Sequence, residues 1–184
     1  MLRGIFLCRP SETAWLDGQG GVGQIYLQQW QQFTSPIPEH KRANLIAAYH
    51  ELLHGEDEQG RLKAAKARAD WESYLVRFEP EEVDEDTQAS LAIACIETHY
   101  FVHQGWLQND KAILNNINKI RHIPTIICQG CSDLCTPMQS AWELAQDFPE
   151  AELRIVQGGH SSFGETLNTA LEAAVAEMVE RADW

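Results

Sequence analysis

Thr125-Ile126-Ile127-Cys128-Gln129-Gly130-Cys131-Ser132-Asp133-Leu134-Cys135-Thr136-Pro137 is the stretch on which the fold turns. Its first four residues are apolar or β-branched and read as a short buried strand after Pro124. A Gly-containing polar turn follows. Thr136-Pro137-Met138-Gln139 then has the pattern of a capping box with Pro at the first helical position. The helix it predicts turns Met138, Ala141, Trp142 and Ala145 inward, with Phe148 at its end. Leu153 to Val156 is a second strand, Gln157-Gly158-Gly159-His160 a second turn. A last helix carries Leu167, Leu171, Ala174, Val175 and Met178. Strand–helix–strand–helix with short turns predicts parallel strands in an α/β sheet.

Towards the N-terminus, Leu2 to Cys8 is a third strand, ended by Arg9-Pro10, and Ser11 to Gly23 is loop-like. The period then becomes helical. Tyr26, Trp30 and Phe33 share one face. A helix from Pro38-Glu39 carries Leu45, Ala48, Tyr49, Leu52 and Leu53. Further helices are expected over Asp57–Phe78, over Thr87–Gln104 and from Asp110, with Glu79–Asp86 an acidic connector. The expected domains are a first strand at 1–9, a helical insertion at 10–122 and the rest of the core at 123–184.

The chain of 184 residues is 44% hydrophobic, enough for a core. Fourteen basic and 27 acidic residues give 14 − 27 = −13, a field that repels nucleic acid. Five cysteines, an odd number in a chain too large to need staples, fit a reducing cytoplasm. No apolar run is long enough to span a membrane.

Ligands of open α/β sheets bind beyond the carboxyl ends of the strands. There the sequence puts Asp133 after one strand and His160 after the next. Alone, Asp133 reads as a turn or cap residue and His160 as a loop histidine. Together, acid then histidine is the order of the catalytic triad in α/β-hydrolases. The acid would orient the imidazole, and the imidazole would move the nucleophile's proton. None of Ser11, Ser35, Ser73, Ser90, Ser132, Ser140, Ser161 and Ser162 has the G-x-S-x-G setting of the nucleophile.

Several segments carry a family resemblance. They include Leu2-Arg3-Gly4-Ile5-Phe6, Pro36-Ile37-Pro38-Glu39, Ala47-Ala48-Tyr49-His50, Trp71-Glu72 and Ile96-Glu97-Thr98-His99-Tyr100-Phe101. Ile120-Arg121-His122-Ile123-Pro124, Ser132-Asp133, Trp142-Glu143-Leu144, Ala151-Glu152-Leu153 and Gly159-His160-Ser161 belong with them. In collinear order over nearly the whole chain they resemble prolyl aminopeptidases (proline iminopeptidases). The resemblance implies a partial α/β-hydrolase fold, three parallel strands with a large helical cap insertion. It implies a serine aminopeptidase that releases N-terminal proline from peptides without a cofactor or metal. Asp133 and His160 would be triad members. Glu72 and Glu97 would hold the substrate's free amine, by charge-assisted hydrogen bonds. Phe6 and Phe101 would line the proline pocket, and Arg3 and Cys135 would lie near the site.

In that family a Gly-rich oxyanion segment and the serine elbow precede the strand read here as Leu2–Cys8. The expectation is therefore a chain inactive alone, working with a complementary N-terminal hydrolase portion; the alternative is a non-catalytic truncated fragment or an amino-terminal peptide-binding module. A Leu2–Cys8 strand left without a neighbour would also seek another chain. Cys128-x-x-Cys131 with Cys135 has no second pair at ligand spacing. His50/His54 and His99/His103 stand four apart, but without the Glu of a metalloprotease motif they read as surface or pocket-rim histidines. Gly18 to Gly23 reads as an entry loop to the insertion.

Overall fold

The computed structural model describes residues 1–77, 87–162 and 164–181. The expected connector Glu79–Asp86, Phe78 and Phe163 lie outside the described residues. In chain order the elements are β1 (Leu2–Arg3), α1 (Pro10–Asp17), α2 (Leu27–Thr34), α3 (Leu45–Leu53), α4 (Glu58–Val76), α5 (Thr87–Val102), β2 (Ile126–Gly130), α6 (Met138–Asp147), β3 (Glu152–Val156) and α7 (Glu165–Arg181). They form two compact units. One comprises Met1–Leu7, Leu75–Phe78 and Asn109–Trp184; the other comprises Cys8–Tyr74 and Glu79–Gln108.

The first unit is built on a parallel sheet of order β1-β2-β3. Ile127 pairs in register with Leu2 on one side and Leu153 on the other. Every residue of β2 is buried, as a central parallel strand requires. Successive side chains leave β2 on opposite faces. Ile127 packs on one face with Ile5, Leu7, Ile117, Ala141, Leu144 and Phe148. Ile126 and Cys128 pack on the other with Leu167, Leu171 and Ala174 of α7.

Four readings of this unit are corrected by the structure. The strand Leu2–Cys8 shrinks to Leu2–Arg3, because Gly4 takes a left-handed φ of 55° that ends the ladder. The capping box before α6 is not made: no side chain caps the helix, and Thr136 uses its hydroxyl elsewhere, on Asp133. Trp142, expected inside, is 52% exposed, since Ala141 with Leu144 already fills its seam; on the last helix Leu171 and Ala174 fill theirs and Val175 is 47% exposed. The helix expected from Asp110 is only turns and a short 3-10 segment, Leu114–Lys119, of which Ile117 is buried.

The second unit is helical. Phe33, Tyr49 and Trp71 are its aromatic centre. Phe33 stacks on Tyr49 at 4.8 Å and on Trp71 at 5.3 Å between centroids. The Tyr49 hydroxyl donates to the Phe33 carbonyl. Burial pushes the Tyr49 phenol pKa up. Ser11–Asp17, read as loop, is helical instead. Pro10 supplies a preset φ at the helix start, and Glu12 accepts a hydrogen bond from the Arg9 N–H at 2.9 Å. No helix among the described residues is long and apolar enough to cross a membrane.

Candidate active site

β2 and β3 are adjacent and parallel, so the turns leaving their carboxyl ends are neighbours. The backbones stitch together there: the Cys131 N–H donates to the Val156 carbonyl and the Ser132 N–H to the Gly158 carbonyl, both at 2.9 Å. Gly130 makes the approach possible, since a Cβ at this position would lie 2.3 Å from the Gly159 carbonyl oxygen.

Asp133 projects from the first turn and is buried. Four local donors hold its carboxylate. Oδ1 accepts from the backbone N–H of Cys135 (2.9 Å) and of Thr136 (2.8 Å). Oδ2 accepts from the Thr136 hydroxyl (2.9 Å) and from Gln129 Nε2 (3.1 Å). The fifth partner comes from the second turn: His160 Nδ1 lies 2.9 Å from Oδ2 and 3.2 Å from Oδ1. A carboxylate accepts, so Nδ1 carries the proton and Nε2 carries the lone pair of the neutral ring. That is the tautomer a general base needs.

Arg3 and Gly4 support the histidine from β1. Arg3 Nη1 donates to the His160 carbonyl at 2.9 Å. A Cβ on Gly4 would stand 3.1 Å from His160 Cε1 and 3.5 Å from Thr136 Oγ1. The left-handed turn at Gly4 therefore both ends β1 and leaves room for the imidazole. Phe6 is half-buried beyond it. Cys135 is half-buried, and among the described residues Asp133, Cys135 and His160 form the group of three metal-capable side chains whose ligand atoms all lie within 4.8 Å of one another. Nδ1–H already faces Asp133, and both carboxylate oxygens take other donors, so the set is better matched to proton transfer than to an ion.

The second unit holds the other expected residues around one that the sequence reading missed. Arg68, on α4, is 2% exposed. Its Nη1 donates to Asp17 Oδ2 at 3.0 Å, and its Nε lies 3.2 Å from both Glu72 Oε1 and Glu97 Oε2. Its guanidinium carbon lies 5.6 Å from the centre of the Phe101 ring. Glu72, Glu97 and Phe101 are thus brought together. Burial opposes the Arg68 charge, but Asp17, Glu72 and Glu97 outweigh it and raise its pKa. Burial raises the pKa of Asp17 against the pull of Arg68. Burial is also the largest cause that lifts Glu72 well above the usual carboxylate range. Arg68 opposes this, and the charge of Glu97 with a Glu72–Glu97 hydrogen bond adds to it. Glu72 still keeps 32% of its side chain accessible. Three carboxylates against one guanidinium leave a formal surplus of 3 − 1 = 2 negative charges if all are ionised. Gln129, Thr136, Gly4, Asp17 and Arg68 were all missed. The signals were faint: a buried-strand Gln, a Thr three after an Asp, an Arg inside a helix of charged residues.

The profile of the alpha/beta hydrolase fold matches residues 2–166. The chain belongs to the alpha/beta hydrolase family. It is similar to the proline iminopeptidase of Neisseria gonorrhoeae, 67% identical over 181 residues that make up 98% of this chain and 58% of that protein. It is 43% identical to the proline iminopeptidase of Arabidopsis thaliana over 97% of this chain and 48% of that one. A probable proline iminopeptidase of Leptolyngbya boryana is 38% identical, with 97% and 57% covered. This alpha/beta hydrolase chain therefore spans about half to three-fifths of the length of these relatives.

Proposed function

We propose that this chain carries the acid–base pair and the amine-recognition group of a serine aminopeptidase that releases N-terminal proline from peptides. The observation that supports it most is the Asp133–His160 pair, 2.9 Å apart with the base in the Nδ1–H tautomer. In this reading His160 Nε2 takes the proton of a seryl nucleophile and returns it to the leaving amine. Asp133 holds the ring and stabilises its charged form. The serine and the oxyanion donors come from polypeptide outside these 184 residues. Residues 10–122 act as the cap, with 1–9 and 123–184 as parts of the hydrolase core. The free thiols of all five cysteines support a cytoplasmic setting.

Glu72 and Glu97, with Arg68 and Asp17 behind them, supply the amine site. A surplus carboxylate beside a fixed guanidinium is an incomplete ion cluster, and an ammonium group such as the protonated secondary amine of an N-terminal proline completes it. Phe101, beside Arg68, serves the proline ring on the helical unit; in the sheet unit Phe6, Arg3 and Cys135 accompany the base. The same cluster favours a second reading, an amino-terminal peptide-binding module, because it needs no nucleophile to hold an amine.

Release of the aniline from a proline-anilide substrate separates the two. The first reading expects turnover when the complementary N-terminal portion is supplied, abolished by His160→Ala, and none from this chain alone. Glu97→Gln then raises KM for free-amine substrates and leaves N-acylated ones almost unchanged. No turnover in the completed protein, with peptide binding retained, selects the binding module. An equal effect of Glu97→Gln on both substrates sinks amine recognition.

A further inference from the structure

Two histidine pairs at i, i+4 spacing lie on the helical unit, His50/His54 at the end of α3 and His99/His103 at the end of α5. Either pair alone is an ordinary surface feature. The packing of α3 against α5 changes that, because it sets all four rings in one cluster. Ring centroids are 4.2 Å apart for His50–His54 and 4.7 Å for His99–His103. Across the helices His50 lies 5.8 Å from His99 and 6.5 Å from His103. Imidazoles sharing one ion at about 2.1 Å have centroids about 5 Å apart. The four rings already bracket that spacing.

The hydrogen bonds are those of ligating histidines. His54 Nδ1 faces the His50 carbonyl at 2.9 Å, and His103 Nδ1 faces the His99 carbonyl at 2.7 Å. A carbonyl only accepts, so both rings carry their proton on Nδ1 and keep the Nε2 lone pair for a ligand. His50 Nδ1 is buried and has no hydrogen-bond partner. His54, His99 and His103 are exposed at the rim, where an ion can enter. The ring nitrogens of the four do not yet converge as the ligand atoms of Asp133, Cys135 and His160 do; bringing them onto a common point needs rotation about broad terminal torsions, soft for the unpartnered His50 ring and, for His54 and His103, at the cost of their Nδ1 hydrogen bonds.

We propose that His50, His54, His99 and His103 form a binding site for a late first-row divalent transition ion, Zn²⁺, Ni²⁺ or Cu²⁺, that clips α3 to α5. An all-imidazole donor set excludes hard Mg²⁺ and Ca²⁺ and ranks Cu²⁺ above Ni²⁺ and Zn²⁺. Trp106, stacked on His103 at 5.0 Å and 5.3 Å from His99, reports on the site because Cu²⁺ and Ni²⁺ quench indole emission.

The test is calorimetric titration of the tag-free, chelator-treated protein with ZnCl₂, NiCl₂ and CuCl₂ in turn. One ion per chain should bind in the low micromolar range or tighter, quench Trp106 when it is Cu²⁺ or Ni²⁺, and raise the melting temperature. Loss of a partner one shell out already weakens metal sites ~10- to 100-fold, so removing two ligands with His54→Ala/His103→Ala should weaken binding by at least about 100-fold. Both positions are exposed and their loss leaves the core intact; His99→Ala, also exposed, is the second variant and should weaken binding as well. His160→Ala should bind as the parent does, and the Co²⁺ complex should lack a thiolate charge-transfer band. Absence of binding by all three ions overturns the proposal. So does binding that survives His54→Ala/His103→Ala and disappears in His160→Ala, which would put the ion on Asp133, Cys135 and His160.

Discussion

Arg68→Met tests whether the buried ion cluster holds the helical unit together. The parent side chain is 2% exposed and touches three carboxylates at 3.0 to 3.2 Å. Met preserves most of the volume and removes the charge. Asp17, which is buried, then faces Glu72 and Glu97 with no cation. Removing one partner of a buried pair costs about 3–5 kcal/mol. The pH dependence carries the sharper test. Asp17 and Glu72 already have pKa values above their ordinary ones, and Arg68 is what lowers them. Without it both rise further. An acid whose folded pKa is raised binds more protons folded than unfolded, so stability is greatest below its unfolded pKa and falls as pH climbs through the folded value. The variant should therefore lose most at pH 7 to 8 and regain much of the deficit towards pH 5. Denaturant unfolding followed by near-ultraviolet circular dichroism, which reads the stack of Phe33, Tyr49 and Trp71, measures both quantities. A loss below about 1 kcal/mol, or the same loss at pH 5 and pH 8, would refute the account. Adding Asp17→Asn to Arg68→Met should recover part of the loss, because the two positions interact directly.

In the completed protein, the proposed acid–base role expects Asp133→Asn to lower kcat by about 10⁴-fold and change KM little, since an amide cannot accept from all five donors and His160 loses its tautomer; a loss under tenfold argues against the pair as the acid–base group. Gly4→Ala places a Cβ 3.1 Å from His160 Cε1 at a left-handed φ of 55°. It should destabilise the sheet unit by about 1–2 kcal/mol and shift the His160 ring resonances; unchanged melting and unchanged resonances would show that Gly4 has another reason to be there.

The core elements of the sheet unit could be read from the sequence because burial on two faces leaves a plain mark. Ile126-Ile127-Cys128 is an unbroken apolar run, and a strand lined on both sides has no polar alternation to hide it. The errors sit where one residue's backbone decides. Gly4 ends β1 five residues early, and nothing in the apolar run Ile5-Phe6-Leu7 warns of it. The helix Pro10–Asp17 was hidden by its polar composition and the glycines just beyond, Gly18, Gly20, Gly21 and Gly23, although Pro10 and Glu12 are a start signal. Trp142 and Val175 look like core by period, yet size does not choose the buried face. The small residues Ala141 and Ala174 let the helices sit close, and the large neighbours turn outward.

The acid and the histidine were legible for a topological reason. Consecutive parallel strands put consecutive turns side by side, so two sequence positions 27 apart become hydrogen-bond partners at 2.9 Å. The residues that complete their chemistry carry no such mark. Gln129 lies within a buried strand and would pass for an ordinary core position, yet its amide reaches both Asp133 and the Thr136 carbonyl. Thr136 looks like a helix cap and spends its hydroxyl on the same carboxylate. Arg68 sits among lysines, arginines and alanines on α4, a composition that reads as a solvated helix face. Its burial depends on Asp17, 51 positions earlier, and on Glu97, 29 positions later. A buried charge is stable only with its partners in place, and the partners are assigned by tertiary packing. Local pattern reads the strands and the turns that carry the pair; only the fold reveals the ion cluster around Arg68.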